Sequence, residues 1–274
     1  MSPEDIEVVR KVVHARSGVA IDPTKTYAIE SRLTPMARRD GFEDLAALVQ
    51  ALRERRDDAL MWAVTEALTV GETSFFRDRE PFAHFRDQML PALSAQRDRP
   101  LRVWSAACAT GQEPYSMAMA IEEAMVLAPG LRVDLFASDL SERRLEKAQS
   151  GLYTQFEVQR GLPIRQLVRH FEKVDELWRV SARLREMIRW RRINLLADLG
   201  PLGQFDVIFC RNVISTFDPA LRTRGLEQMA RALAPDGWLV LGHDETAAGL
   251  TESLQPVDGW TGAFSRSPSF RAAA

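Results

Sequence analysis

The stretch Leu101-Arg-Val-Trp-Ser-Ala-Ala-Cys-Ala-Thr-Gly-Gln-Glu-Pro-Tyr-Ser116 reads as strand, tight turn and helix. Arg102-Val-Trp104 is a short β-prone run, Ser105 to Gly111 holds almost nothing larger than threonine, and from Pro114 an apolar run continues through Tyr115 to Ala128, long enough for a helix. Small residues in such a turn let backbone come close to a ligand. The unpaired N–H groups at the start of the helix favour polar or anionic groups placed over them. This is the cofactor corner of a doubly wound α/β fold. The dinucleotide fingerprint G-x-G-x-x-G is absent, because Gly111 is the only glycine among Ala106, Ala107, Cys108 and Ala109. A plain strand-to-helix connection therefore stands beside the cofactor reading.

The next unit, Leu131-Arg-Val-Asp-Leu-Phe-Ala-Ser-Asp-Leu-Ser141, raises the cofactor reading. Val133 to Ala137 is a buried-type strand. Asp139 lies at its carboxyl end, about where an acid that binds ribose hydroxyls belongs. Asp139 is also a candidate cap for a helix starting near Ser141, although Ser141 with Arg144 makes no capping box. Further along, Phe205 to Cys210 and Trp238 to Gly242 read as parallel strands, with Pro235-Asp-Gly237 as a turn before the latter.

The whole chain has 274 residues, 46% of them hydrophobic, enough for a substantial core in one large domain or a large plus a small one. Lys+Arg number 36 against 38 Asp+Glu, so no overall field recruits nucleic acid or an acidic membrane. The acidic start and the interruption of apolar runs by Glu122 and Glu123 leave neither signal peptide nor membrane span. Cys108 and Cys210 form no metal pattern and no disulfide framework, which suits a reducing cytoplasm. Cys108 reads as a small filler rather than a nucleophile.

Residues 1 to about 91 form a helical region. Ile6, Val9, Val12 and Val13 mark one helix from about Pro3 with Gly18 at its stop, and Leu45, Leu48 and Leu52 mark another from about Phe42. Between them Lys25, Arg32, Arg38 and Arg39 form a locally basic element. On a helix Lys25 and Arg32 lie about two turns apart on one face, with Arg38 about one and a half turns beyond, and Pro35 is expected to kink it. A solvated basic surface and a docking surface both fit this pattern. Thr73 and Arg77 are spaced i, i+4 and share one face if their segment is helical.

The segments Gly71-Glu-Thr-Ser-Phe-Phe-Arg-Asp78, Trp104 to Ser116, Gly151-Leu-Tyr153, Asn194-Leu-Leu196, Phe205-Asp-Val-Ile-Phe-Cys-Arg-Asn-Val213 and Leu241-Gly-His-Asp-Glu245 resemble, in order, the signature blocks of the bacterial chemotaxis receptor methyltransferases. With the helical amino-terminal region the resemblance covers nearly the whole chain. It implies an α/β class I S-adenosylmethionine-dependent (Rossmann-like) methyltransferase domain behind a small all-α domain, with Phe264 to Phe270 adding the antiparallel strand typical of that class. The expected organisation is a docking domain over residues 1–80, a linker helix over 81–98 and a methyltransferase domain over 99–274. The implied activity is methyl transfer from S-adenosylmethionine to chemoreceptor glutamates, leaving S-adenosylhomocysteine.

On that resemblance the cofactor-binding residues are Gly71, Thr73, Arg77, Glu113, Asp139, Asn194, Leu195, Arg211 and Asn212. Glu113 would hold the methionine amino group, Asp139 the ribose, Asn194 and Leu195 the adenine side, and Arg211-Asn212 the floor beside the methionine moiety. Arg77 is the catalytic candidate, orienting the acceptor carboxylate. Lys25, Arg32 and Arg38 match the residues that dock on the receptor's acidic helical bundle. No metal, nucleic acid or membrane insertion is implied, and the chain is expected to be a monomer.

Three departures stand out. Gly71 replaces an asparagine, and Thr216 stands where a tyrosine normally lies beside the transferred methyl. The region Phe171 to Val180 is short and lacks the glycine-rich loop that some members use to add a receptor tail peptide as a strand, so a tether to the receptor's carboxyl-terminal pentapeptide is expected to be absent. A noncatalytic S-adenosylmethionine-binding regulator is the alternative that Thr216 and Gly71 raise. A nicotinamide enzyme fits poorly without the glycine fingerprint.

Overall fold

The structure, a computed structural model, describes residues 1–54, 57–69 and 71–270. Its contacts divide it into two compact units: residues 1–71 with 216–222, and residues 72–215 with the chain from Thr223 onward.

The first unit packs α1 (Pro3–Ser17), α2 (Thr26–Arg39), α3 (Leu45–Glu54) and α4 (Asp58–Leu68). Ser2 and Asp5 form a capping box at the start of α1, and Gly18 closes it at φ 71°. The core takes Ile6, Val9 and Val13 from α1, Ile29, Leu33 and Met36 from α2, Leu48, Val49 and Leu52 from α3, and Val64 and Leu68 from α4. Burying each such side chain contributes about 1.5–3 kcal/mol, which is what holds four short helices together. Helix α2 runs unbroken through Pro35. The returning segment joins this unit through a bridge between Val19 and Phe217 and a bond from the Asp218 N–H to the Gly18 carbonyl, 2.8 Å.

The second unit is built on a seven-stranded sheet in the order β6-β2-β1-β7-β8-β10-β9. In chain order these are β1 (Leu101–Ala106), β2 (Val133–Asp139), β6 (Ile188–Arg192), β7 (Phe205–Cys210), β8 (Leu233–Leu241), β9 (Leu254–Pro256) and β10 (Ala263–Arg266). The first five of the spatial order are parallel, whereas β10 runs antiparallel to both its neighbours. β7 is buried along its whole length, the pattern of a central parallel strand covered on both faces. From β1 the chain moves to one side for β2 and β6, then returns to the other side for β7. Ligands of open α/β sheets bind at such a reversal, beyond the carboxyl ends of the strands.

Helices α5 (Glu80–His84) and α6 (Leu90–Ser94) are joined by a π-helical turn over Phe85–Met89. Their Phe82, Phe85, Met89, Leu90 and Leu93 lie in the core of this unit, so the stretch expected as a linker is packed into it. α7 (Gln112–Leu127) and α8 (Glu142–Ser150) follow β1 and β2. A smaller sheet, in the order β3-β5-β4, is formed by β3 (Leu152–Thr154), β4 (Phe171–Val174) and β5 (Leu177–Val180), with α9 (Gln155–Gln159), α10 (Ile164–His170) and α11 (Ala182–Glu186) around it. α12 (Pro219–Ala232) leads into β8. Pro235-Asp-Gly237 lies inside β8 rather than before it. Phe205 pairs with Leu233 and Val207 with Trp238, so the tripeptide is extruded as a bulge where β7 advances two residues and β8 five. Among the described residues no helix is long and apolar enough to cross a membrane.

Candidate functional site

The turn after β1 is built from left-handed residues: Ala107 at φ 57°, Ala109 at φ 49° and Gly111 at φ 94°. Two alanines in that region cost roughly 1–3 kcal/mol each, and specific bonds hold them there. The Cys108 N–H donates to the Ser138 carbonyl (2.8 Å) and the Ala109 N–H to Asp139 Oδ2 (2.9 Å). Tyr153 buttresses the same turn, its hydroxyl donating to the Thr110 carbonyl at 2.7 Å. A Cβ on Gly111 would stand 2.9 Å from that hydroxyl and 2.8 Å from Ala148 Cβ, so glycine is required there. Cys108 is buried, and burial pushes its thiol up, away from nucleophilic chemistry.

Glu113, in the first turn of α7, faces the carboxyl ends of β1 and β7. Ser105 Oγ donates to its Oε1 (2.8 Å) and Arg211 Nη1 to its Oε2 (3.3 Å). Burial raises the Glu113 pKa, and Arg211, Ser105 and the charge of Arg77 offset that only in part. Arg211 also donates through Nη2 to Asp78 Oδ2 (2.6 Å) and to the Arg77 carbonyl (2.9 Å), while its guanidinium lies 5.5 Å from the Phe82 ring centroid. Its Nε is buried and has no acceptor among the described residues. Ser105, Glu113, Arg211, Asp78 and Arg77 thus form one connected group.

The segment carrying Thr73 and Arg77 is not helical, so the condition for a shared face is not met. Residues 71–74 are irregular and Phe75 to Asp78 make a turn with left-handed Phe76 (φ 47°) and Asp78 (φ 62°). The turn is fixed instead by the Phe76 N–H donating to Ser116 Oγ (2.9 Å) and by Phe75, whose ring meets Tyr153 and Phe171 edge-on at 5.0 and 5.5 Å. Arg77 Nη1 reaches the Glu72 carbonyl at 3.2 Å, and Thr73 is half-buried. Gly71 is the last residue of the first unit's opening segment.

Asp139 is buried at the end of β2. Besides the Ala109 N–H it accepts from the Ser141 N–H through Oδ1 (2.9 Å), while Ser141 itself caps α8 by accepting from Arg144. The Asp139 carbonyl accepts from Ile193 N–H (3.0 Å), which brings Asn194 and buried Leu195 alongside. Asn194 Oδ1 accepts from the Leu196 N–H at 3.0 Å, an Asx turn. After β7, Asn212 takes a left-handed conformation (φ 58°), and its Oδ1 is buried without a donor among the described residues. In the first unit Lys25, Arg32 and Arg38 are all exposed along α2, with Arg32 Nη1 donating to the Leu68 carbonyl at 3.3 Å.

Sequence reasoning missed the parts of this site that act on other residues. Ser116 braces the turn at Phe76, Ser105 and Asp78 hold Glu113 and Arg211, and Glu245 binds the loop after β7. Each lay inside a quoted block, but a carboxylate bonded to backbone N–H groups across the sheet leaves no local spacing to read. No group of His, Cys, Asp and Glu suited to a metal occurs among the described residues.

The strand order, the reversal beside β1 and an acidic residue at the end of β2 are those of class I S-adenosylmethionine-dependent methyltransferases. Residues 71–262 match the CheR methyltransferase SAM binding domain, and residues 4–69 match the CheR methyltransferase all-alpha domain. Chemotaxis protein methyltransferase 1 of Vibrio cholerae is 36% identical over 250 residues, 90% of each chain. That of Pseudomonas aeruginosa is 36% identical over 258 residues, covering 92% of this chain and 94% of its own. The chemotaxis protein methyltransferase of Escherichia coli is 34% identical over 247 residues, 88% of this chain and 84% of its own. The chain belongs to the CheR methyltransferase family. S-adenosylmethionine fits the site in charge and donor set: a largely shielded carboxylate at Glu113 suits its ammonium, and among the described residues Asn212 Oδ1 and Arg211 Nε stand buried and unpaired.

Proposed function

We propose that this chain methylates glutamate carboxylates of chemoreceptors, forming methyl esters. The observation that carries this reading is the buried Arg211 at the sheet's reversal, bonded to the largely shielded Glu113 and to the exposed Asp78 and joined to the turn that presents Arg77. The relatives are named as methyltransferases, which favours an enzyme over a noncatalytic binder.

Bound S-adenosylmethionine supplies a sulfonium methyl that a carboxylate attacks directly, so no general base is needed. Glu113 holds the methionine ammonium, and the ammonium's charge keeps that carboxylate ionised despite its burial. Asp139 receives the ribose, Asn194 and Leu195 the adenine side, and Arg211 with Asn212 the floor. Arg77 orients the incoming glutamate. Its guanidinium acts from a half-buried position, so it lines up the acceptor without locking it into a dry, tight ion pair. Position 216 is threonine where the family, by the resemblance, carries a tyrosine. Lys25, Arg32 and Arg38 dock the acidic receptor bundle through complementary charge.

Docking by a receptor tail is not part of this reading. Val174 pairs with Leu177, so β4 and β5 are joined through Asp175 and Glu176 alone, which leaves no glycine-rich loop to receive a strand. Titration with a receptor carboxyl-terminal pentapeptide is expected to give no heat, and tight binding would contradict this point.

The test is transfer of labelled methyl from S-adenosylmethionine to receptor-containing membranes of the source organism, scored as methanol released by alkali. Methanol that depends on this protein is the expected result. Label that resists alkali, or no label from a protein that binds S-adenosylhomocysteine, would overturn the reading. Arg32→Ala with Arg38→Ala is expected to reduce methylation roughly tenfold at low salt and leave cofactor affinity unchanged.

A further inference from the structure

Glu245 follows β8 and is almost fully buried, yet its carboxylate touches no arginine, lysine or histidine among the bonds of the described residues. Among the described residues it accepts three bonds, all from backbone. Oε2 accepts from the Asn212 N–H (2.6 Å) and the Gly242 N–H (2.9 Å), and Oε1 accepts from the Ser215 N–H (2.8 Å). Its own N–H returns to the Gly242 carbonyl at 3.0 Å. Charge-assisted bonds of this kind are the strong ones, and three on one carboxylate fix both ends of the segment Asn212–Ser215.

The segment needs such a clamp. Asn212 is left-handed, and its side chain lies so close over Gly242 that a Cβ there would sit 2.6 Å from Asn212 Nδ2, 2.9 Å from Asn212 N and 2.9 Å from Glu245 Oε2. Glycine at 242 makes room for Asn212, and Glu245 holds it there, leaving Asn212 Oδ1 buried and without a donor. A buried acceptor with no partner is costly in a folded protein unless a ligand supplies the donor.

We propose that Glu245 is a positioning residue for the cofactor site: by binding the backbone of Asn212 and Ser215 it sets the Asn212 amide toward a ligand donor. The proposal rests on the reading of Arg211-Asn212 as cofactor-binding and adds the residue that acts through them. Glu245 itself touches neither substrate nor cofactor.

The test is calorimetric titration of S-adenosylhomocysteine into the full chain, with thermal unfolding recorded for each variant. Glu245→Gln keeps an oxygen for Asn212 and Gly242 but turns an NH2 toward the Ser215 N–H. Glu245→Ala removes all three bonds. Expected affinities fall in the order wild type, Glu245→Gln, Glu245→Ala, with the glutamine variant about tenfold weaker while still unfolding cooperatively. Gly242→Ala, which keeps the carboxylate and displaces Asn212, is expected to weaken binding to a similar degree, so the proposal stays testable if Glu245→Ala fails to fold. In an Asn212→Ala background the further loss from Glu245→Gln is expected to shrink below twofold, because both act through one group. Affinity within twofold of wild type in folded Glu245→Gln, or fully additive losses in the double variant, would overturn the proposal. Unchanged affinity in Asn212→Ala alone would instead overturn the cofactor reading of this loop, and the proposal with it.

Discussion

Strand β7 has a charge cluster at each end, and the two are built in opposite ways. At its start Asp206 is fully buried and fully served: Arg99 donates to both oxygens (2.7 and 2.8 Å), Arg97 Nε to Oδ1 (3.3 Å) and the Arg102 N–H to Oδ2 (2.8 Å). Burial works to raise the Asp206 pKa, but those bonds and the charges of Arg99 and Arg97 outweigh it and leave the pKa below its ordinary value. Beyond its end the balance reverses. The Glu113 pKa remains above its ordinary value, and among the described residues Arg211 Nε has no acceptor and Asn212 Oδ1 no donor. A closed cluster stabilises the fold, whereas one left incomplete in a buried place is suited to a ligand.

The sharpest way to break this contrast is to remove each carboxylate. Asp206→Ala takes the shared partner from half-exposed Arg99 and from Arg97, which keeps Asp236, and leaves the Arg102 N–H unpaired, so a loss of about 1–3 kcal/mol of stability is expected from urea titration. Its affinity for S-adenosylhomocysteine, measured below the unfolding transition, is expected to stay at the wild-type level. Glu113→Gln is expected to do the reverse: about 10- to 100-fold weaker binding, for a charge-assisted bond worth about 1.5–3 kcal/mol, with a smaller loss of stability than Asp206→Ala. Asp139→Ala is expected to weaken binding about tenfold. It also releases the Ala109 N–H, so the left-handed turn is expected to exchange its amide hydrogens faster.

Acidity separates the two ends with the smallest effects. Asp206 has a folded pKa below 3.8, so its contribution is complete above that value and is lost as pH falls through the folded pKa. Glu113 has a folded pKa above 4.5, so the fold favours its protonated form, and its contribution to stability declines as pH rises from 4.5 through the folded pKa. Over the same rise the cofactor's ammonium gains an ionised partner. Affinity for S-adenosylhomocysteine is therefore expected to increase with pH above 4.5 in wild type and to lose that slope in Glu113→Gln.

Much of the second unit was legible because buried parallel strands and an amphipathic helix leave local patterns, as in Val133 to Ala137 and Phe205 to Cys210. The turn after β1 was legible by its small residues. Its glycine fingerprint was missing because Ala107 and Ala109 take the left-handed conformations that glycines adopt more easily. β6, Ile-Arg-Trp-Arg-Arg, is an edge strand whose arginines hide a strand pattern. α4 went unread although its Asp57 cap was in place. The i, i+4 spacing of Thr73 and Arg77 left the helix open as a condition, and it is not met because tertiary bonds to Ser116 and Arg211 hold a strained turn there. The role of Glu113 came from the resemblance alone, since an acid at a helix start is favourable in any case, and its bond to Arg211, 98 residues away, depends on the sheet order.

The most direct measurement titrates S-adenosylhomocysteine into wild type, Glu113→Gln and Asp206→Ala side by side in one buffer, at a temperature where all three are folded. The expected result is wild-type affinity in Asp206→Ala and a loss of at least about tenfold in Glu113→Gln. Equal affinity in all three, or a loss confined to Asp206→Ala, would contradict the assignment of the carboxyl end of β7 as the cofactor site.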